Sequence, residues 1–86
     1  MRKAKRHVYV VEKRGRKGSV LATATGAIVE AGWGSQRALF NFAARRLTAY
    51  AREFGQHSEL RWRRKDGTIG ETRTYPRVSD PRRSRG

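Results

Sequence analysis

Apolar residues recur with two different periods along this chain. Between residues 36 and 54 they return every three or four positions, which is typical of a helix that buries one face. On either side of that segment they tend to alternate with polar residues, which favours strands. The pattern predicts an α+β fold in the order β-β-(β)-α-β-β, with an antiparallel sheet of about four strands and one long helix packed on one face.

The residues at the two ends of the central segment favour helix boundaries there. Ser35 is a good N-cap, and Gly55 supplies the glycine that often follows the last helical turn. At about 100° per residue, the apolar side chains fall within an arc of about 120°, the width of a core-facing stripe. The stripe consists of Leu39, Phe40, Ala43, Leu47, Tyr50, Ala51 and Phe54. The opposite side of the helix carries Arg37, Asn41, Arg45, Thr48 and Arg52.

Segments rich in β-branched and aromatic residues precede the helix. Residues 7–13 and 19–25 predict two strands, and residues 27–31 form either a third strand or a continuation of the second beyond a bulge. The flanking segments are basic and almost free of apolar residues, which is typical of disorder. The chain is thereby divided into a basic arm (1–6), one domain (7–78) and a disordered basic tail (79–86).

A hairpin is predicted after the helix. Asp66 and Gly67 favour a two-residue turn, in which both residues adopt positive φ angles. The resulting register pairs Lys65 with Thr68, Arg64 with Ile69, Trp62 with Glu71, Leu60 with Arg73 and Ser58 with Tyr75. The face towards the helix then carries Leu60, Trp62, Ile69 and Tyr75, and the other face carries Arg61, Arg63, Lys65, Thr68, Thr72 and Thr74.

The C-terminal half carries short motifs that are similar to a known family. They are the alanine-containing helix, Ser58-Glu59-Leu60-Arg61-Trp62, Lys65-Asp66-Gly67-Thr68-Ile69 and Thr74-Tyr75. On these motifs, the segment 35–75 resembles the domain of unknown function 2188 family. The resemblance implies a short antiparallel sheet with one helix, and it implies no particular activity. The size, arginine content and tails are also similar to those of small phage proteins.

Positive charge is the dominant feature of the composition. The 86 residues include 21 Lys and Arg against 7 Asp and Glu, a formal net charge of +14 at pH 7. A polyanion relieves the repulsion among these cations and releases its own counterions on binding. We therefore expect a nucleic-acid-binding protein, with double-stranded DNA favoured over RNA. The alternative is a phage-type protein-interaction module that binds and modulates an acidic host protein.

Motifs for other classes of function are lacking in the sequence. There are no cysteines, His7 and His57 do not stand at a metal-binding spacing, and no carboxylate pair has a spacing that suggests acid–base catalysis. We expect no enzyme activity, no catalytic residue, no cofactor and no metal. Without an apolar run of the ~20 residues that span a bilayer, we expect no membrane partner. The expected location is the cytoplasm, at the nucleoid or in the host cytoplasm if the protein is phage-encoded.

The sheet face that points away from the helix is the main candidate site. Arg61, Arg63 and Lys65 stand at two-residue spacing on it, about 6.5 to 7 Å apart, which is comparable with the spacing of phosphates along a strand. Thr72 and Thr74 add hydroxyl groups beside them. We expect this face to have no acidic partner. The alternative is a solvated face whose charges deter edge-to-edge aggregation.

Further basic residues lie in the arm, around the first turn and in the tail. We expect them to act as auxiliary clamps that follow the nucleic-acid backbone or enter a minor groove. The alternative is a flexible tail that makes non-specific contacts. These residues are Arg2, Lys3, Lys5 and Arg6 in the arm, Lys13, Arg14, Arg16 and Lys17 around the turn, and Arg82, Arg83 and Arg85 in the tail.

Two aromatic residues have more than one interpretation. Phe42 lies outside the core-facing stripe, beside Ala38 and Ala49. This patch is either a protein or homodimer contact or a widening of the core-facing arc. Trp33, between two glycines, either stacks on a base or folds back as a plug over the start of the helix.

Overall fold

The computed structural model describes residues 6–76 and contains five strands and one α-helix. In chain order the elements are β1 (Arg6–Lys13), a 3₁₀ turn (Gly15–Lys17), β2 (Ser19–Thr23), β3 (Ile28–Trp33), α1 (Gln36–Phe54), β4 (His57–Arg63) and β5 (Ile69–Tyr75). The α+β class and the single long helix are confirmed, and β3 is a separate third strand. Arg6 begins β1 instead of ending an arm. The predicted arm residues 1–5 and tail residues 79–86 lie outside the described residues.

The sheet is mixed, which differs from the antiparallel sheet predicted from the sequence. Its order is β3-β2-β1-β4-β5, and the neighbours β1 and β4 are parallel while all other neighbours are antiparallel. The chain between β1 and β4 contains β2, β3 and α1, which is long enough for the crossover that a parallel pair requires. The expected number of strands is one too low, because β3 pairs separately at the edge of the sheet.

The hydrophobic core lies between α1 and one face of the sheet. Alternation along the strands places Tyr9, Val11 and Leu60 on this side, which we call the helix face. The buried core residues are Val11, Leu21, Leu39, Phe40, Ala43, Leu47, Leu60 and Tyr75. The opposite side, which we call the open face, carries Val10, Glu12, Glu59, Arg61, Arg63, Thr72 and Thr74.

Both predicted ends of α1 are confirmed. The Ser35 hydroxyl accepts a hydrogen bond from the backbone N–H of Ala38 at 3.1 Å, as an N-cap does. Gly55 has a φ of 66°, in the left-handed region. The prediction for Phe54 is wrong: its side chain is 72% exposed, because it is the last helical residue and its ring lies beside Tyr50. The expected outer residues Arg37, Asn41, Arg45, Thr48 and Arg52 are all exposed.

The β4–β5 hairpin closes through a three-residue turn, so the predicted two-residue turn is wrong. The N–H of Arg64 donates to the carbonyl of Thr68 at 2.7 Å, which encloses Lys65-Asp66-Gly67. Only Gly67 in this turn has a positive φ, of 94°. This geometry is a common alternative to the two-residue turn for the same Asp-Gly pair, because it requires a left-handed conformation at the glycine alone.

An extra residue in β5 restores the predicted register away from the turn. Arg63 pairs with Ile69 and Trp62 with Glu71, so Gly70 stands between them as a bulge. Ile69 therefore leaves the helix face, where it was expected, and is 38% exposed. The predicted pairs Trp62–Glu71, Leu60–Arg73 and Ser58–Tyr75 are confirmed, whereas Lys65–Thr68 and Arg64–Ile69 are wrong.

Gln36 joins the start of α1 to the ends of the two parallel strands. Its side-chain amide donates to the carbonyl of Val11 at 3.1 Å and to the carbonyl of Arg63 at 2.9 Å. The last parallel pair is Val11 with Trp62, so the amide satisfies carbonyl groups where the ladder ends. The residue is only 9% exposed, so water does not readily replace these bonds.

We expect Gln36→Leu to lower the free energy of unfolding by about 2 kcal/mol, because it leaves a buried carbonyl of β1 and a partly buried carbonyl of β4 unpaired. Urea denaturation followed by circular dichroism measures this change. Asn41→Leu is the matched control, since Asn41 is exposed on the same helix and an exposed substitution usually changes stability by less than about 0.5 kcal/mol. Equal losses of stability in the two variants would show that Gln36 does not join the strands.

Candidate functional site

The parallel pairing of β1 and β4 brings two basic loops to the same end of the sheet, where both strands finish. β1 ends at Lys13 and β4 ends at Arg63, so the connections that follow them start side by side. Within residues 6–76, five cations at these connections have no carboxylate within ion-pair distance. We call them the basic end: Lys13, Arg16, Lys17, Arg64 and Lys65.

Gly18 holds the first basic loop against the end of β3. Its φ is 71°, and a Cβ at this position would lie 2.9 Å from the carbonyl oxygen of Trp33. The loop is closed by the N–H of Arg14, which donates to the carbonyl of Gly18 at 2.8 Å. Arg16 and Lys17 are therefore exposed on a short, hydrogen-bonded 3₁₀ turn.

An open cleft of about 520 Å³ lies between the ends of β1 and β4 and the start of α1. Its lining residues are Lys13, Gly34, Ser35, Gln36, Arg37, Trp62, Arg64 and Lys65. Four of these residues are cations and none is a carboxylate. The guanidinium carbon of Arg37 lies 4.5 Å from the centre of the Trp62 ring, so a cation and an aromatic ring stack at this cleft.

Glu12 forms ion pairs with two arginines beside the basic end. Its carboxylate lies 2.7 Å from Nη2 of Arg14 and 2.9 Å from Nε of Arg63. The contact with Arg63 Nε lacks the alignment of a hydrogen bond, so its attraction is coulombic. Arg14, which the sequence assigns to the auxiliary clamps, is already paired in the free protein.

Asp66 is the carboxylate at the tip of the β4–β5 turn. The hydroxyl of Thr68 donates to it at 2.7 Å and the N–H of Thr68 at 2.9 Å. These hydrogen bonds, the hydroxyl first, lower the pKa of Asp66 below its usual value, and the charge of Arg64 lowers it further. Asp66 is thus ionised at neutral pH, and it orders the turn that presents Arg64 and Lys65.

The open face differs from the site expected there in the place of Lys65 and in the presence of carboxylates. Arg61 stands opposite Thr72, and Thr74 lies on the same face, as predicted. Lys65 lies in the turn and is not part of the strand. The expectation of no acidic partner is wrong, because Arg61 pairs with Glu59 and Arg63 pairs with Glu12.

The two carboxylates reach the open face for different reasons. Glu59 stands two residues before Arg61 on the same strand, so both side chains point to one face. Glu12 comes from β1, which becomes a neighbour of Arg63 only through the parallel pairing. The first contact was within reach of the sequence, and the second required the order of strands.

The two ambiguous aromatic residues pack against each other. Trp33 and Phe42 have ring centres 5.0 Å apart, and both pack against the core. Trp33 therefore lies as a plug near the start of the helix, and Phe42 belongs to a widened core-facing arc. Ala38 is exposed and Ala49 half-buried, and the alternative of a protein or homodimer contact at this patch stays a prediction.

The structure groups the basic residues differently from the sequence prediction. Arg37 and Arg64 line the cleft beside Lys13, although neither arginine was a predicted site residue. The N-cap at Ser35 predicted where the helix starts along the sequence. The place of that start beside β4 depends on the order of strands in the sheet. Arg6 pairs with His57 where β1 and β4 begin, at the other end of these strands from the basic end. The predicted clamps Arg2, Lys3 and Lys5 lie outside the described residues.

Comparisons with known proteins find no relative of this chain. No protein-family model matches the chain, and no match is found among curated proteins or solved structures. The resemblance to the domain of unknown function 2188 family stays a prediction. Among residues 6–76, no helix has the length and apolar character needed to cross a bilayer, and no three His, Cys, Asp or Glu residues cluster as metal ligands would.

We expect Gly18→Ala to destabilise the protein more than Gly15→Ala does. Both glycines have positive φ angles, so each substitution costs about 1 kcal/mol or more of backbone strain. Only at Gly18 does the new Cβ also meet a carbonyl oxygen; at Gly15 it meets nothing within 4 Å. Urea denaturation measures both variants. A destabilisation at Gly15 equal to that at Gly18 would contradict the close packing of this loop on β3.

Proposed function

We propose that this protein binds nucleic acid, preferentially double-stranded DNA, and that the basic end is its main contact surface. The observation that carries the proposal is the set of five unpaired cations that two loops place at one end of the sheet, among the residues 6–76 that the structure describes. These cations repel one another in the free protein, and phosphate groups relieve that repulsion. Binding also releases counterions from the nucleic acid, which strengthens association at low salt.

The spacing of the two loops favours a duplex over a single strand. One loop joins β1 to β2 and the other joins β4 to β5, with β1 and β4 adjacent. Two strand spacings separate the centres of these hairpins, which is about 10 Å. Duplex DNA presents two rows of phosphates across grooves about 6 and 12 Å wide. Each loop can therefore approach a different row.

The open face is a second contact surface in this proposal. Arg61 and Arg63, with Thr72 and Thr74 beside them, reach phosphates only by exchanging the carboxylates of Glu59 and Glu12. That exchange reduces the net gain from each arginine, because an existing ion pair is broken. We therefore assign the larger share of binding to the basic end.

Charge reversal tests the basic end directly. We expect Arg16→Glu/Lys17→Glu and Arg64→Glu/Lys65→Glu each to weaken duplex binding at least tenfold, because like charges then face the phosphates. The slope of log affinity against log salt should become shallower by about 0.9 for every phosphate that the variant no longer neutralises. Fluorescence anisotropy with a labelled duplex at several salt concentrations gives both quantities.

Arg45→Glu/Arg52→Glu is the matched control for these variants. It makes the same change in charge on the exposed outer side of α1, away from both loops. Circular dichroism verifies that all three variants keep their helix. A larger decrease in affinity in the control than in the loop variants would place the nucleic acid on the helix. If the unmodified protein shows no salt-dependent binding to the duplex, and a pull-down after nuclease treatment recovers one acidic protein, the acidic protein partner is favoured instead.

A single neutral substitution tests the open face. We expect Glu59→Gln to tighten duplex binding about threefold, because it frees Arg61 and removes a negative charge from the contact surface. Glu53→Gln makes the same change in charge on the exposed last turn of α1 and is the control. Equal effects of the two substitutions on the dissociation constant would remove the open face from the interface.

A further inference from the structure

The cleft between the basic end and the start of α1 is a concave site that is open to solvent. Its volume of about 520 Å³ is within the range of sites that hold small molecules. One wall is the start of α1, with Arg37, and the other is the end of β4 and its turn, with Trp62 and Lys65. A phosphate inside a duplex is joined to the chain on both sides, whereas a strand end is free on one side.

The positive charge that lines the cleft is greater than the single negative charge of one phosphodiester. Four cations line it: Lys13, Arg37, Arg64 and Lys65. Within the described residues, only Arg37 of these four is in an ion pair, with Glu71 at a long 3.7 Å. A phosphodiester carries a single negative charge. A phosphate monoester carries about 1.5 to 2 negative charges at pH 7 and has three terminal oxygens to accept hydrogen bonds.

The stacked pair at the cleft adds a surface for a flat group. The Arg37 guanidinium lies over the Trp62 ring and its side chain is 54% exposed. Guanidinium and indole planes are the groups on which proteins stack unpaired bases. A ligand with a dianionic phosphate and a planar base matches both features of this cleft.

We propose that the cleft binds the phosphorylated end of a nucleic-acid strand, with the terminal phosphate among the four cations and the terminal base against Arg37 and Trp62. This inference rests on the proposed function, and it adds a preference for ends to the general affinity for duplex. A free nucleoside monophosphate has the same chemistry. The attached strand distinguishes the two ligands, because it also reaches Arg16 and Lys17, the residues of the basic end that lie outside the cleft.

The test compares duplexes of one sequence whose ends carry a 5′-phosphate, a 3′-phosphate or only hydroxyl groups. The full-length protein should bind one of the phosphorylated forms at least about fivefold more tightly than the hydroxyl form, because charge-assisted bonds to a dianion are added. Arg37→Gln should reduce this ratio to about one, as should Lys65→Gln in the turn. Arg45→Gln, on the same helix outside the cleft, should leave the ratio as it is.

Circular DNA and a free nucleoside monophosphate separate the outcomes. If circular DNA binds with strong salt dependence but all three duplex forms bind equally, the inference about ends is overturned and the proposed function stands. If no DNA binds, both are overturned. If the monophosphate binds as tightly as the phosphorylated duplex, the cleft is a nucleotide site and the end preference is wrong. A retained ratio in both cleft variants also overturns it.

Discussion

The parallel pairing of β1 with β4 is the constraint on which the rest of this structure depends. It requires a long crossover, which the chain supplies with β2, β3 and α1. It also places the ends of both strands at one end of the sheet, where the buried amide of Gln36 bonds to each of them. The two basic loops and the cleft exist as one region only because this pair is parallel. An antiparallel pair would carry the loops to opposite ends of the sheet.

Three of the six carboxylates among residues 6–76, Glu12, Glu59 and Glu71, form ion pairs with arginines. Glu12 pairs with Arg14 and Arg63, and Glu71 lies near Arg37 and Arg73. These ion pairs reduce the repulsion among the arginines of the sheet. Among the described residues, the cations of the basic end keep no such partner. A chain with a net charge of +14 can therefore fold while its excess charge stays concentrated at the surface.

The sequence predicted features that depend on near neighbours and missed those that depend on sheet order. Ser35 and Gly55 bound the helix as expected, since a cap acts within one helical turn. Asp66-Gly67 indicated a hairpin but not its length, because two turn types accept the same pair. The contacts of Glu12 with Arg63 and of Gln36 with Val11 join residues far apart in the chain. No local pattern encodes such contacts, and so the cleft was not foreseen.

An NMR titration of the isotope-labelled protein with a short DNA duplex shows whether the basic end contacts DNA. Backbone amide shifts report which residues meet the DNA, independently of any substitution. If the basic end is the main contact surface, the largest shift changes occur in residues 13–18 and 64–68, with smaller changes on the open face. The largest changes along the outer side of α1, or changes confined to residues 59–61 and 72–74, would contradict this role of the basic end.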